Sequence, residues 1–140
     1  MDYLGRALEL AQAQDGRTAD NPAVGCVLVH RGRVIAEAAT ADGGRPHAET
    51  RALALAGGEA RGATAFVTLE PCAHHGRTPP CADALMDAGV ARVVIGHIDR
   101  DSRVRWQGAA RLQEAGVDTV LDLRGDIADF YAAYDALRRG

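Results

Sequence analysis

The sequence predicts an α/β protein, a three-layer α/β/α sandwich around a mixed sheet of about five strands. Short apolar runs rich in β-branched residues recur along the chain at 24–29, 64–69, 92–96 and 117–121. Between them lie segments whose apolar residues repeat at helical spacing. After an opening hairpin the order is helix, strand, helix, strand, helix, strand and a last helix, which calls for parallel crossovers in the second half.

Tyr3, Leu4, Ala7, Leu8 and Ala11 share one face of a first helix that stops near Gly16. The run 24–29 reads as a buried strand, and Arg31-Gly32 as the tight turn into a second strand over 34–38. A Gly-containing loop over 41–46 leads to a helix over 47–56, ended by Gly57-Gly58. The strand over 64–69 runs into a loop over 70–80 that carries Pro, Gly and His. A helix over 81–88 ends at Gly89, and the strand over 92–96 is followed by a polar loop over 99–106. A helix over 109–115, a strand over 117–121 and a helix over 127–137 complete the chain. No repeat, linker or low-complexity tract divides it, so residues 1–140 are expected to form a single domain.

The balance of residues narrows the function. Of the 140 residues, 47% are hydrophobic and 25% charged, with a formal net charge of −3. A slightly acidic chain with 4% aromatics lacks the basic groove and stacking platforms that nucleic-acid binding uses. Every basic residue is Arg, so any anion would be met by guanidinium groups or backbone N–H. No apolar stretch approaches the ~18–20 residues of a membrane span, and the start has no basic, signal-like region. Three cysteines in such a chain fit a reducing compartment, with the cytoplasm as the expected location.

Three short clusters carry chemistry. His47-Ala48-Glu49 opens a helix, Pro71-Cys72 follows a strand, and Pro80-Cys81 precedes a helix. One imidazole and two thiolates are the ligand count of a catalytic zinc, which keeps a fourth position for water. Zinc held so lowers the pKa of its water from ~15.7 toward ~7. Glu49, two residues from His47, can face the same cavity and carry the proton from that water to the leaving amine. Cys26 is the alternative fourth ligand of a closed, structural site, but its place inside an apolar strand reads as a small buried hydrophobe. His74 and His75 could compete as ligands. The expected arrangement has His74 on the substrate side and His75 in solvent.

His-x-Glu followed by Pro-Cys and a second Cys is the signature of the zinc deaminases. The runs 21–27, 44–49 and 62–72 resemble the cytidine deaminase superfamily. The continuation 73–85, which separates Cys72 from Cys81 by eight residues, is similar to the deaminase domain of the riboflavin-biosynthesis deaminase/reductase. That resemblance runs from the first helix to about Val120. It implies a cytidine deaminase-like fold with Zn2+ as cofactor, bound by His47, Cys72 and Cys81, and with Glu49 as proton shuttle. The implied reaction is hydrolytic removal of the 2-amino group of 2,5-diamino-6-ribosylamino-4(3H)-pyrimidinone 5′-phosphate. Asn21, His74, Arg77 and Asp99 would bind this small phosphorylated pyrimidine, Arg77 at the phosphate and Asp99 at the ribose. A homo-oligomer, a dimer or larger, is also implied.

Departures from the family pattern fall on the substrate side. Asp20-Asn21-Pro22 stands for Pro-Asn-Pro, Thr40 for a His, and Asp99-Arg100-Asp101-Ser102 for Asp-Pro-Asn-Pro. Asp101 puts a second carboxylate near a phosphate, which Arg100, Arg103 and Arg105 either offset or leave as a solvated basic loop. No Gly-x-Gly-x-x-Gly loop and no reductase domain is present, so the chain is either a deaminase working with a separate reductase or an excised domain. The competing readings are a deaminase of the same scaffold acting on another nucleotide, nucleoside or free base, and a non-catalytic module with structural zinc.

Overall fold

The computed structural model describes residues 1–73, 80–101 and 104–139. Its elements are α1 (Tyr3–Gln14), β1 (Gly25–His30), β2 (Arg33–Ala39), α2 (Ala48–Ala56), β3 (Thr64–Val67), α3 (Cys81–Asp87), β4 (Arg92–Ile95), α4 (Gln107–Glu114), β5 (Asp118–Leu121) and α5 (Gly125–Arg139). Two short 3-10 turns, Asp42–Gly44 and Gly57–Ala60, flank α2. Every expected helix and strand is present, with ends that differ by a few residues.

The sheet has the strand order β2-β1-β3-β4-β5. β1 runs antiparallel to both β2 and β3, whereas β3, β4 and β5 are mutually parallel. The hairpin forms because Arg31 and Gly32 both take positive φ, 53° and 77°, the geometry that matches the right-handed twist of its two strands. On one face Ala7 of α1 packs with Val27 and Val29 of β1 against Phe66. Gly96 lies beneath both Leu4 and Ile127, which sets α5 beside α1. α2, α3 and α4 follow one another across the other face. Among the described residues no helix is long and apolar enough to cross a membrane.

This topology brings selected chain ends together. β3 and β4 are parallel, so residues 68–72 and 96–99 leave the sheet at the same end. β1 is antiparallel to β3, so its entry, residues 21–24, lies at that end too. Gly25 pairs with Ala39, which puts the exit of β2 at Thr40 beside it.

A chain of buried hydroxyls ties this end to α5. The Gly25 N–H donates to Thr68 Oγ1 at 3.0 Å. Thr68 Oγ1 lies 2.8 Å from the Tyr131 hydroxyl, which donates to the Ala23 carbonyl at 2.8 Å. Tyr131 has one proton and gives it to Ala23, so Thr68 is the donor in the middle link. Tyr131→Phe should therefore leave the Ala23 carbonyl without its donor and the Thr68 hydroxyl proton without its acceptor, at a cost of about 1–3 kcal/mol. Urea unfolding tests this, and an unchanged midpoint would show that the hydroxyl chain contributes nothing.

Candidate metal centre

His47 is the N-cap residue of α2, with extended backbone and no capping bond from its side chain. Its imidazole is thereby free to turn toward α3. Cys81 is the first residue of α3, and Cys72 follows β3. The three donor atoms lie within 4.8 Å of one another, and they are the group among the described residues that could hold a metal ion. His47 Nδ1 is 3.3 Å from Cys81 Sγ. Zn–N and Zn–S bonds of ~2.0–2.3 Å at the tetrahedral angle place neighbouring ligand atoms ~3.6 Å apart. The cluster thus fits a tetrahedral zinc site with one position left over.

The two thiols are electrostatically unlike. Cys72 accepts from the Cys81 thiol, from His47 and from the Cys81 backbone N–H, the last at 3.2 Å. These donors hold it down to about 4. Cys81 is pushed up by its hydrogen bond to Cys72 and by burial. One thiolate and one thiol therefore share the proton in the metal-free pair. His47 is raised, first by its hydrogen bond to Cys72. Cys26 is fully buried in the core and its thiol is pushed up by burial, as expected of a small hydrophobe in a strand.

A cavity of about 160 Å³ opens beside the cluster, the scale of a small ring rather than of a drug-sized ligand. His47, Glu49, Cys72, Asn21 and Asp99 line it, together with Pro22, Val24, Thr40, Leu69 and Glu70. Glu49, in the first turn of α2, is 4% exposed, and burial pushes its carboxyl above the usual carboxylate range. Asn21 Nδ2 donates to the Gly44 carbonyl at 2.9 Å. Asp99 Oδ1 accepts from the Asp101 N–H at 2.9 Å. The cavity thus unites Asn21, His47, Glu49, Cys72 and Asp99. His74, His75, Arg77 and Arg103 lie outside the described residues.

Sequence reasoning noted Thr40 only as a departure from the family pattern and passed over Glu70, and both line the cavity. Thr40 is buried, and its hydroxyl accepts from the Val24 N–H at 3.0 Å. Glu70 carries a buried carboxylate that accepts three backbone N–H groups. The signal for Glu70 was its charge directly after an apolar strand, where a carboxylate persists only if paired.

The fold and the cluster describe a zinc-dependent deaminase scaffold. The chain belongs to the cytidine and deoxycytidylate deaminase zinc-binding family, whose model matches residues 2–97. It is 55% identical over 116 residues to the Escherichia coli riboflavin biosynthesis protein RibD, covering 83% of this chain and 32% of that one. It is 44% identical over 115 residues to a diaminohydroxyphosphoribosylamino-pyrimidine deaminase of Buchnera aphidicola, covering 82% of this chain and 78% of the relative. A solved structure of Acinetobacter baumannii RibD is similar at a TM-score of 0.85 and 45% identity, over 90% of this chain and 35% of that one. The chain thus spans about a third of the length of the RibD relatives.

Two outcomes follow from the cluster. Zinc uptake near pH 7 should release at least about one proton, from Cys81, with further fractions from His47 and from the water the metal would bind. Calorimetry in buffers of differing ionisation heat measures this, and a release of zero would show both thiols already ionised. Cys26→Ser should keep its zinc, whereas Cys72→Ala should lose it. Loss of metal from Cys26→Ser would indicate a closed, four-ligand site.

Proposed function

We propose that this chain hydrolyses the 2-amino group from 2,5-diamino-6-ribosylamino-4(3H)-pyrimidinone 5′-phosphate, a step of riboflavin biosynthesis. The observation that carries the reading is the buried Glu49 carboxyl sharing one small cavity with a three-donor zinc cluster. A structural metal site has no use for such a carboxyl. The likeness to RibD and to the Buchnera deaminase supports the substrate.

In this reading His47, Cys72 and Cys81 hold zinc, which when bound makes a water acidic enough to attack at neutral pH. Glu49 takes one proton from the attacking water and gives it to the ring nitrogen, then takes the second from the hydroxyl left on the ring carbon and gives it to the departing amine. Its raised affinity for a proton suits both acts, since a shuttle must hold a proton and release it near working pH. The ring carbon gains the water oxygen as a carbonyl and ammonia leaves. Asn21 spends one amide hydrogen on Gly44 and keeps its carbonyl for a substrate donor. Asp99 is assigned to the ribose, and His74 and Arg77 to the substrate, Arg77 to its phosphate. The same reading makes residues 1–140 one deaminase domain, in an assembly of two or more copies in the cytoplasm. The reduction that follows belongs to a separate reductase or a further domain.

One observation favours a second reading, in which a same-scaffold deaminase takes another nucleotide, a nucleoside or a free base. A wider opening of about 610 Å³ shares Pro22, Leu69 and Asp99 with the inner cavity and is bordered by Asp20, Asp101 and Asp135. The guanidinium there, Arg100, is already clamped by both oxygens of Asp135, at 2.9 and 2.7 Å, and lies over the Tyr131 and Tyr134 rings. It is a poor candidate to offset Asp101 beside a phosphate.

Ammonia release from the ribotide by zinc-loaded protein separates the readings. Turnover is expected in the wild type, and Glu49→Gln should lose at least about a thousandfold in kcat while keeping zinc and fold. Full activity in Glu49→Gln would remove the shuttle. An inert wild type that deaminates another ring would move the substrate to the second reading.

A further inference from the structure

Glu70 takes no part in the chemistry above, yet it is 5% exposed and sits two residues from Cys72. Its Oε1 accepts from the Asp99 N–H at 3.1 Å and from the Trp106 N–H at 3.2 Å. Its Oε2 accepts from the Ala109 N–H at 2.9 Å. Its own N–H donates to the His97 carbonyl at 2.8 Å. One residue thus fastens the exit of β3 to both ends of the segment that joins β4 to α4.

The start of α4 has no side-chain cap from its own N-cap residue, Trp106, which is left-handed with φ 74°. The first amides of a helix have no partner within it, and here a carboxylate from more than thirty residues away takes the place of the cap. α4 also comes in tightly, because a Cβ on Gly108 would collide with the Pro71 carbonyl oxygen. Glu70 and Asp99 both border the inner cavity.

We propose that Glu70 is a positioning residue that sets substrate affinity. It ties Asp99 to the start of α4 so that Asp99 forms a fixed wall of the ring cavity, in register with Cys72. The proposal rests on the reading of that cavity as the substrate site. A carboxylate is needed because all three partners are donors and together they use both oxygens. Glutamine has one acceptor oxygen, and its NH2 would face an amide N–H.

The test uses zinc-loaded Glu70→Gln, with steady-state kinetics, zinc content and amide hydrogen exchange. KM is expected to rise about tenfold or more, with kcat within about threefold and zinc per chain unchanged. Exchange at Asp99, Trp106 and Ala109 should quicken at least about tenfold, while β3 amides hold their rate. Addition of Asp99→Asn to Glu70→Gln should raise KM no further than the worse single variant, since both act through one wall. If Glu70→Gln does not fold, Glu70→Asp serves, because it keeps the charge and shortens the reach by one methylene. Unchanged KM overturns the proposal, as does a fall confined to kcat or a double variant whose KM factors multiply. Exchange needs no substrate. A wild type inert on the ribotide would therefore sink the functional reading, while exchange alone still judged whether Glu70 holds the segment.

Discussion

Strand β3 has an antiparallel neighbour on one side and a parallel neighbour on the other, and the rest of the site depends on that. The parallel pairing Val67↔Ile95 carries the exits of β3 and β4 to one end of the sheet. The antiparallel pairing Cys26↔Val67 brings the entry of β1 to the same end. Ligands of open α/β sheets bind beyond the carboxyl ends of parallel strands. Here the antiparallel hairpin adds Asn21, Val24 and Thr40 to that place. A slip of one residue in β3 would invert its faces and carry Cys72 away from His47 and Cys81.

Holding five consecutive residues, 68–72, at such a crowded edge requires every polar group to be matched. Thr68 takes the Gly25 N–H and meets Tyr131, while Glu70 takes amides from 99, 106 and 109. No buried side-chain nitrogen or oxygen among the described residues lacks a partner. An unpaired group at this depth costs more than a pair contributes. Cys72, one of the three donors that could hold a metal, is thus carried on a strip of chain tied through Thr68 to α5 and through Glu70 to α4. α4 and α5 lie beyond the stretch matched by the family model, residues 2–97, yet they supply the partners that hold Glu70 and Thr68.

Much of this was legible in the sequence, for reasons that differ by residue. The run at 24–29 and the Arg31-Gly32 turn announce a hairpin because apolar continuity and positive φ are local demands. His47, Glu49, Cys72 and Cys81 are legible as a set because zinc accepts few side-chain types and the deaminase spacing is specific. Glu70 was not legible as a fastener. Its partners are backbone N–H groups, which every residue but proline carries, so no residue code marks position 99, 106 or 109 as its target. Tyr131 is hidden for the same reason, since its acceptor is the Ala23 carbonyl. Trp106 plays its structural part through its backbone. It is 48% exposed, and its left-handed turn lets α4 begin at Gln107, two residues earlier than helical spacing alone indicates.

The same distinction sorts the three carboxylates of the cavity. Glu70 has both oxygens engaged by backbone donors. One oxygen of Asp99 is held by the next turn of its own loop. Each is fixed in place by fixed dipoles, which suits a wall. Glu49 is different, because burial dominates its environment and raises its proton affinity. In the proposed reaction that difference in surroundings divides the work of the site. Glu49, whose proton affinity burial raises, is the one proposed to move a proton. Glu70 and Asp99, held by amides, are the ones proposed to keep the wall of the cavity in place.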